Sequence, residues 1–208
     1  MIESQIAGRG VRDPLVLEAM RKVPRERFVA IGLSAFAYED TPLPIGEKQT
    51  ISQPYIVARM IEAAEVKPGD RVLEVGTGTG YAAAVVSRFA GSVHTIERYR
   101  SLSDEARRHF TELGYSNIEV RAGDGTMGWP EAAPFDAILV AAASPEVPQP
   151  LKNQLVVGGR LVIPVGEAEQ SLLKITRRSD DDFLEENLGL VRFVPLIGER
   201  GWREQDQT

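Results

Sequence analysis

A glycine-rich stretch in the first half of the chain, Glu74–Gly80 with the sequence EVGTGTG, limits the possible folds more than any other segment. It follows RVLEV, an apolar run typical of a buried strand, and it precedes YAAAVVSRFA, which favours a helix. Glycines between a strand and a helix let the chain turn sharply and let a ligand approach the main chain closely. The stretch predicts a strand-turn-helix unit with a ligand at the turn; a plain structural turn is the alternative.

Strand-like and helix-like segments alternate from Arg71 onward. We predict strands in RVLEV, SVHTIE, IEVRAGD, FDAILVAAA and RLVIPVG, and helices in YAAAVVSRFA, SLSDEARRHFTELG and PQPLKNQLVVGG. This order predicts an α/β fold with a doubly wound, mostly parallel sheet that has helices on both faces. The later segments SLLKITRRS and LGLVRFVPLIG predict antiparallel strands at the C-terminal edge of the sheet.

Two helices are predicted before the glycine-rich stretch. Asp13 and Pro14 open the first as a capping residue and a first-turn proline, and Pro24 ends it. The second lies in QPYIVARMIEAAEV, where apolar residues recur at helical spacing. Ser52 stands directly before this helix and is a candidate for its cap.

Composition and charge exclude several classes of function. The 208 residues carry a net charge of −6 without a block of Lys or Arg, so nucleic acid is not expected as a partner. There are no cysteines, and the two histidines have no metal-ligand spacing, so we expect no disulfide and no metal. The polar start of the sequence and the lack of a long apolar run predict a cytoplasmic protein without a membrane partner.

Acidic residues follow the glycine-rich turn at the ends of the next two strands. Tyr81 occupies the place where a dinucleotide-binding fingerprint has its last small residue, which favours a nucleoside without phosphates. Glu97, about 20 residues after the first glycine, is suited to binding ribose hydroxyls. Asp124 and Gly125 end the third strand, where the carboxylate could reach an adenine amino group. The pattern predicts an S-adenosylmethionine site, although Glu97 could be a solvated strand end and Asp124-Gly125 an ordinary turn.

The predicted fourth strand lacks the residues that usually activate a methyl acceptor. It runs into AAASPEVPQP, which has neither Lys nor His and no Asn-Pro-Pro-aromatic signature. Amines and alcohols commonly need a positioned base, whereas a carboxylate with a pKa of about 4 is already ionised at neutral pH. The sequence therefore favours a carboxylate acceptor, for which positioning is the main requirement.

Seven segments resemble the protein-L-isoaspartate O-methyltransferase family: VLEAMRKVPRERFV, YEDTPLPIG, QTISQPYIVARM, VLEVGTGTGYAAAV, GDGTMGWPEAAPFDAILV, LVVGGRLVIPVG and VRFVPLIGERGW. The resemblance implies the Rossmann-like fold of S-adenosylmethionine-dependent methyltransferases, with S-adenosylhomocysteine as product. It implies methylation of the α-carboxyl of L-isoaspartyl residues in damaged proteins and peptides. The ester then collapses to a succinimide, which hydrolyses partly to aspartate.

The resemblance also implies roles for individual residues. Ser52 is expected to be the catalytic serine, which orients the acceptor carboxylate by its hydroxyl; a helix cap is the alternative. The expected donor-binding residues are Gln49, Thr50, Ile51, Gly76, Thr77, Gly78, Thr79, Gly80, Glu97, Arg98, Asp124 and Gly125. The expected substrate-binding residues are Ser52, Val194, Pro195, Leu196 and Ile197, although their segment could be an ordinary edge strand.

We expect one domain over residues 1–208 and a monomer. Within it, residues 1–68 form a helical and active-site segment, 69–166 the donor-binding core, and 167–208 the C-terminal strands and substrate side. The family usually has a glycine at the position of Lys48 and often a threonine at that of Ala141. Two other functions remain open: methylation of a small molecule or a ribosomal peptide, and a nucleoside-binding module without enzymatic activity.

Overall fold

The computed structural model describes residues 1–204, and they contain five α-helices and nine strands. The helices are α1 Pro14–Lys22, α2 Pro54–Ala63, α3 Tyr81–Ser87, α4 Arg100–Glu112 and α5 Gln149–Asn153. The strands are β1 Leu43–Pro44, β2 Thr50–Ile51, β3 Arg71–Val75, β4 Ser92–Glu97, β5 Ile118–Ala122, β6 Phe135–Val140, β7 Leu155–Val165, β8 Gln170–Arg177 and β9 Phe183–Val191. None of these helices is long and apolar enough to cross a membrane.

Seven strands form one sheet in the order β5-β4-β3-β6-β7-β8-β9. The pairs from β5 to β7 are parallel, and β8 and β9 add antiparallel strands at one edge. The chain runs from β3 outward to β5 and then returns to place β6 on the other side of β3. This reversal leaves a crevice at the carboxyl ends of the central strands, where α/β proteins bind ligands. The predicted α/β fold with an antiparallel edge is confirmed.

The central strands are buried on both faces because neighbouring side chains point to opposite sides of the sheet. Val72 packs with helices α1 to α4 on one face, and its neighbour Leu73 packs with Leu151 of α5 and with Trp129 on the other. Burying a side chain of this size contributes roughly 1.5–3 kcal/mol. The two apolar clusters thus fix the central strands between the two helical layers, and with them the position of the carboxyl ends of these strands.

The first predicted helix is confirmed in detail. The Asp13 carboxylate accepts hydrogen bonds from the backbone N–H groups of Leu15 and Val16 at 2.8 and 3.4 Å. Pro14 occupies the first turn, and the helix ends at Lys22 before Pro24. A side-chain cap of this kind contributes about 0.5–2 kcal/mol.

The prediction of a helix through PQPLKNQLVVGG is wrong in its second half. Helix α5 ends at Asn153, and β7 begins at Leu155, which pairs with Phe135. The β-branched valines that follow favour a strand, and Gly158 and Gly159 form an irregularity in the pairing with β6. Gly158 has a φ of +85°, so this glycine serves a bend within a strand and does not end a helix.

The last predicted strand is shifted along the sequence. We expected it in LGLVRFVPLIG, whereas β9 covers Phe183–Val191 and pairs with β8. Beyond Val191 the chain leaves the sheet edge and crosses to the end of β6. There the N–H of Ala143 donates to Val194 O at 2.8 Å and the N–H of Leu196 donates to Ala143 O at 2.7 Å. Pro195 lacks an N–H and could not continue a regular strand ladder.

Candidate active site

A cleft opens at the carboxyl ends of β3, β4 and β6, and we call it the central cleft. The hairpin of β1 and β2 forms a second wall, and the segment after β9 forms a third. From the predicted site, the cleft is lined by Gln49, Thr50, Ile51, Ser52, Gly76, Thr77, Gly78, Thr79, Glu97, Arg98, Gly125, Val194, Pro195, Leu196 and Ile197. The structure thus brings together all the predicted residues except Gly80 and Asp124.

The glycine-rich turn needs glycine for two physical reasons. Gly76, Gly78 and Gly80 have φ values of +94°, +53° and +99°, which other residues rarely adopt. A Cβ on Gly80 would also lie 2.5 Å from the Phe110 ring. Gly80 therefore serves the start of α3 and its packing, while the two earlier glycines expose their main chain to the cleft.

The threonines between these glycines direct their hydroxyls into the protein. Thr79 donates to the carbonyl oxygen of Phe28 at 2.7 Å. The Thr77 hydroxyl lies 2.6 Å from that of Thr95, which in turn donates to the Glu74 carboxylate at 2.5 Å. The threonines thus brace the turn from behind and leave its backbone facing the cleft.

Glu97 is buried, and its carboxylate is fixed in orientation by the backbone. One oxygen accepts the N–H of Gly78 at 2.8 Å, and the other accepts the N–H of Tyr99 at 2.9 Å. Burial raises the pKa of Glu97, while these two hydrogen bonds oppose the increase. Each oxygen keeps a further lone pair with which it could accept a hydroxyl.

Glu74 forms a second buried carboxyl at the base of the cleft, and sequence reasoning assigned it no role. Burial raises the pKa of Glu74 to about 8, the hydrogen bond from Thr95 opposes this increase, and the charge of Glu97 adds to it. At neutral pH Glu74 is therefore mostly protonated. A charge on Glu97 and a neutral Glu74 can then coexist in the same buried region.

Asp124 lies outside the lining of the central cleft. Its carboxylate accepts the N–H of Thr126 at 2.8 Å and the N–H of Glu199 at 2.8 Å. It thereby caps a short 3₁₀ turn and ties the C-terminal segment to the end of β5. Gly125 does line the cleft, and a Cβ there would lie 2.3 Å from Val75 Cγ1, so only glycine fits.

Ser52 is not the cap of α2. The N-cap residue is Gln53, whose side chain makes no capping hydrogen bond, and the first-turn N–H of Tyr55 donates instead to the Asp40 carboxylate at 2.9 Å. Within residues 1–204 the Ser52 hydroxyl forms no hydrogen bond, whereas its carbonyl accepts one from Arg25. The alternative role of Ser52 as a helix cap is therefore wrong, and its hydroxyl is available at the cleft surface.

The hairpin that carries Ser52 turns through two residues in the left-handed conformation. Glu47 and Lys48 have φ values of +56° and +57°, and Gln49 N–H donates to Gly46 O at 2.9 Å. A type I′ turn of this kind usually contains Asn or Gly. The Ser101 hydroxyl donates to the Glu47 carboxylate at 2.6 Å and joins the turn to α4.

A second depression, which we call the outer groove, adjoins the central cleft. It runs along the segment after β9 and the first two turns of α2. Four residues line both the cleft and the groove: Thr50, Ser52, Ala141 and Val194. This junction contains two hydroxyls and no acidic or basic side chain, so it offers hydrogen bonding without a general base.

Arg25 and Tyr99 also belong to the site, although no local sequence pattern predicts either role. Arg25 stands in the charged stretch PRER, which reads as a solvated surface, yet it is fully buried and contacts Ser52. Tyr99 lines the cleft next to Arg98 and donates its N–H to Glu97. Glu74, by contrast, had a usable signal, since it is an acid at the end of an otherwise apolar strand.

No group of acidic or histidine residues in the described chain could hold a metal ion.

Known proteins of one family are similar to this chain over nearly its whole length. The sequence profile of the protein-L-isoaspartate(D-aspartate) O-methyltransferase family matches residues 1–201. Protein-L-isoaspartate O-methyltransferase 2 of Pelobacter propionicus is 59% identical, with 97% of this chain and 91% of that protein aligned. Protein-L-isoaspartate O-methyltransferase 1 of Rhodopseudomonas palustris is 58% identical over 97% of this chain and 83% of that protein.

Solved structures show the same fold over nearly the whole chain. A protein-L-isoaspartate O-methyltransferase superposes with a TM-score of 0.86 at 32% identity, covering 97% of this chain and 67% of that one. The Plasmodium falciparum enzyme in complex with S-adenosyl-L-homocysteine superposes with a TM-score of 0.80 at 27% identity, covering 94% and 96%. Because the family profile spans residues 1–201 and relatives of 58% and 59% identity align with 97% of its length, the chain belongs to the protein-L-isoaspartate(D-aspartate) O-methyltransferase family.

Proposed function

We propose that this protein transfers a methyl group from S-adenosylmethionine to the α-carboxyl of L-isoaspartyl residues in damaged proteins and peptides, the first step of their repair through a succinimide. The observation that carries the proposal is the junction of the central cleft and the outer groove. Thr50 and Ser52 place two hydroxyls there, and no side chain that could act as a base lines it. This arrangement suits an acceptor that is already an anion.

The residues of the central cleft fit S-adenosylmethionine. The backbone of Gly76 and Gly78 faces the cleft without a side chain, and both glycines have a positive φ, which a residue with a Cβ rarely adopts. Glu97 would accept the ribose hydroxyls through its free lone pairs. Apolar residues of the cleft, including Ile96 and Leu102, would cover the base. When bound, the donor supplies a methyl group on a sulfonium, whose carbon–sulfur bond breaks with the electron pair passing to sulfur.

Ser52 would act on the acceptor by donating its hydroxyl hydrogen to the carboxylate. An isoaspartyl α-carboxylate has a pKa well below neutral and needs no deprotonation. Its oxygen must lie in line with the methyl carbon, so correct orientation is the main contribution of the protein. Thr50, on the same hairpin, would help to confine the carboxylate from the donor side.

The C-terminal segment would hold the polypeptide that carries the damaged residue. Val194 and Pro195 line the cleft, and the backbone of this segment is fixed to Ala143. An extended substrate beside it can be held mainly through its main chain, with little selection of side chains. The expectations of a monomer in the cytoplasm, without nucleic acid or membrane partners, stay predictions.

The test uses two peptides of one sequence that differ only in an isoaspartyl or an aspartyl linkage. With labelled S-adenosylmethionine, we expect base-labile label in the isoaspartyl peptide alone. Equal labelling of both peptides would contradict the proposed selectivity. Labelling of neither, together with methylation of a small-molecule fraction, would favour the alternative acceptor.

A further inference from the structure

The outer groove has a charge opposite to that of the whole protein. Arg9, Arg59 and Arg192 line it, and none of its lining residues within the described chain is Asp or Glu. The complete sequence contains 30 acidic and 24 basic residues and has a net charge of −6. The residues that line the groove therefore carry a net positive charge on an acidic protein, and a surface of this kind attracts anionic partners.

The three arginines differ in how far other residues neutralise them. Arg192 is exposed and forms no hydrogen bond or ion pair within residues 1–204. Arg59 donates to the backbone carbonyl of Leu188 and has no carboxylate partner there. Arg9 is different, since it forms an ion pair with Asp40. Arg192 and Arg59 thus supply the positive charge of the groove.

The location of this charge relates it to the acceptor. The groove meets the central cleft at Thr50 and Ser52, so a polypeptide with its isoaspartyl residue at Ser52 would continue into the groove. Leu190 and Phe193 add apolar surface along the same wall. Residues next to the isoaspartyl residue would consequently lie beside Arg192.

We infer that the outer groove selects isoaspartyl segments with acidic residues next to the damaged residue, through Arg192 and Arg59. This inference rests on the proposed function because it takes Ser52 as the position of the acceptor. A charge pair in an exposed groove changes an equilibrium by about two- to fivefold. Salt screens such a pair, so the preference should decline as ionic strength rises.

The test compares three isoaspartyl peptides of one sequence whose flanking residues are Glu, Gln or Lys. For each peptide, kcat/KM is measured at low and at high ionic strength with saturating donor. We expect the Glu peptide to exceed the Gln peptide about two- to fivefold at low ionic strength. The Lys peptide should be the poorest substrate, and the three values should converge in high salt.

Two variants locate the effect. Arg192→Gln removes the exposed cation of the groove and should reduce the preference for the Glu peptide, mainly through KM. Arg178→Gln removes an equally exposed arginine at the far end of the hairpin of β8 and β9, and it should leave the preference unchanged. Because both variants change the net charge equally, only a local effect can separate them.

Three results would overturn the inference. The first is equal kcat/KM for the Glu and Gln peptides in the unmodified protein, and the second is a preference for the Lys peptide. The third is an equal loss of preference in Arg192→Gln and Arg178→Gln. In all three cases isoaspartyl methylation itself is intact, whereas a failure to methylate any of the peptides would overturn the proposed function as well.

Discussion

The guanidinium Nη2 of Arg25 lies 2.9 Å from the carbonyl oxygen of Ser52, to which it donates a hydrogen bond in a buried environment. Its Nε donates to the carbonyl of Ala37 at 2.8 Å, and its Cζ lies 4.7 Å from the centre of the Tyr81 ring. No carboxylate pairs with Arg25 among the described residues, and burial lowers its pKa. A buried cation thus holds the main chain of the proposed catalytic serine from behind.

Replacing Arg25 with lysine tests this positioning role. Lysine keeps the charge but cannot donate to both carbonyls in the same planar arrangement. Loss of one hydrogen bond from a charged donor, worth about 1.5–3 kcal/mol, should slow methyl transfer by about tenfold or more. Affinity for S-adenosylhomocysteine should change little, because the contact is on the acceptor side.

The readout for Arg25→Lys is single-turnover methylation per folded molecule, with calorimetric donor affinity measured on the same preparation. Arg21→Lys, in the exposed ion pair with Glu3, is the matched control and should behave like the unmodified protein. A normal rate in folded Arg25→Lys would leave Arg25 with a role in stability alone.

Glu97→Gln tests the proposed ribose contact. Glutamine retains one oxygen acceptor, so it can preserve one of the backbone hydrogen bonds from Gly78 and Tyr99. It removes the charge from the contact with the donor, and we expect affinity for S-adenosylhomocysteine to fall at least tenfold, or about 1.4 kcal/mol. Glu185→Gln, on the exposed edge strand, is the control. Equal affinities in a calorimetric titration would refute the ribose assignment.

Glu74→Gln should alter the pH dependence of stability. The folded-state pKa of Glu74, about 8, lies above its ordinary value of 4.5. Its folded form binds the proton more tightly than the unfolded form, so the unmodified protein should lose stability as pH rises from about 4.5 to about 8. Glutamine does not titrate, so the stability of the variant should not show this loss. As pH rises over this range, the unfolding free energy of the variant should increase by several kcal/mol relative to that of the unmodified protein.

Urea unfolding across this pH range measures the effect of Glu74→Gln. The informative quantity is the difference in unfolding free energy between variant and unmodified protein at each pH. Two parallel stability curves would show that Glu74 titrates in the folded protein much as it does in the unfolded chain.

The left-handed turn beneath the Ser52 hairpin gives a further prediction. Lys48 has a φ of +57°, a conformation that costs a residue with a Cβ roughly 1–2 kcal/mol. Lys48→Gly removes this strain, but glycine loses more conformational entropy on folding, which offsets part of the gain. The net result should be an unfolding free energy higher by about 0.5–1 kcal/mol. Lys48→Val should lower it, because a β-branched residue is least compatible with this conformation. Thermal melts in which Gly and Val have the same effect would contradict this account.

The fold was predictable wherever local sequence determines local structure. The glycine spacing around Gly76 predicted the turn, and strand β4 runs over the predicted residues to Glu97. Leu155 was misassigned because a short apolar run fits a helix or a strand equally well until its partner, here Phe135, is known.

The site was predictable only in part. Glycines and strand-end acids mark a cleft in the sequence, and the family resemblance supplied Ser52. The burial of Arg25 depends on contacts with Ala37 and with Ser52, 12 and 27 residues away along the chain. Asp124 follows the end of β5, as expected for a ligand-binding acid, but its oxygens accept hydrogen bonds from the backbone N–H groups of Thr126 and Glu199. No local sequence pattern predicts that the C-terminal segment passes next to Asp124.

The most direct test of the account is the rate of single-turnover methylation of an isoaspartyl peptide by Ser52→Ala at saturating donor. If the hydroxyl orients the carboxylate through a hydrogen bond of about 2 kcal/mol, the rate should fall on the order of thirtyfold while affinity for S-adenosylhomocysteine stays constant. Ser52→Thr, which keeps the hydroxyl, should retain part of the activity. A normal rate in folded Ser52→Ala would contradict the role of Ser52 as the residue that positions the acceptor.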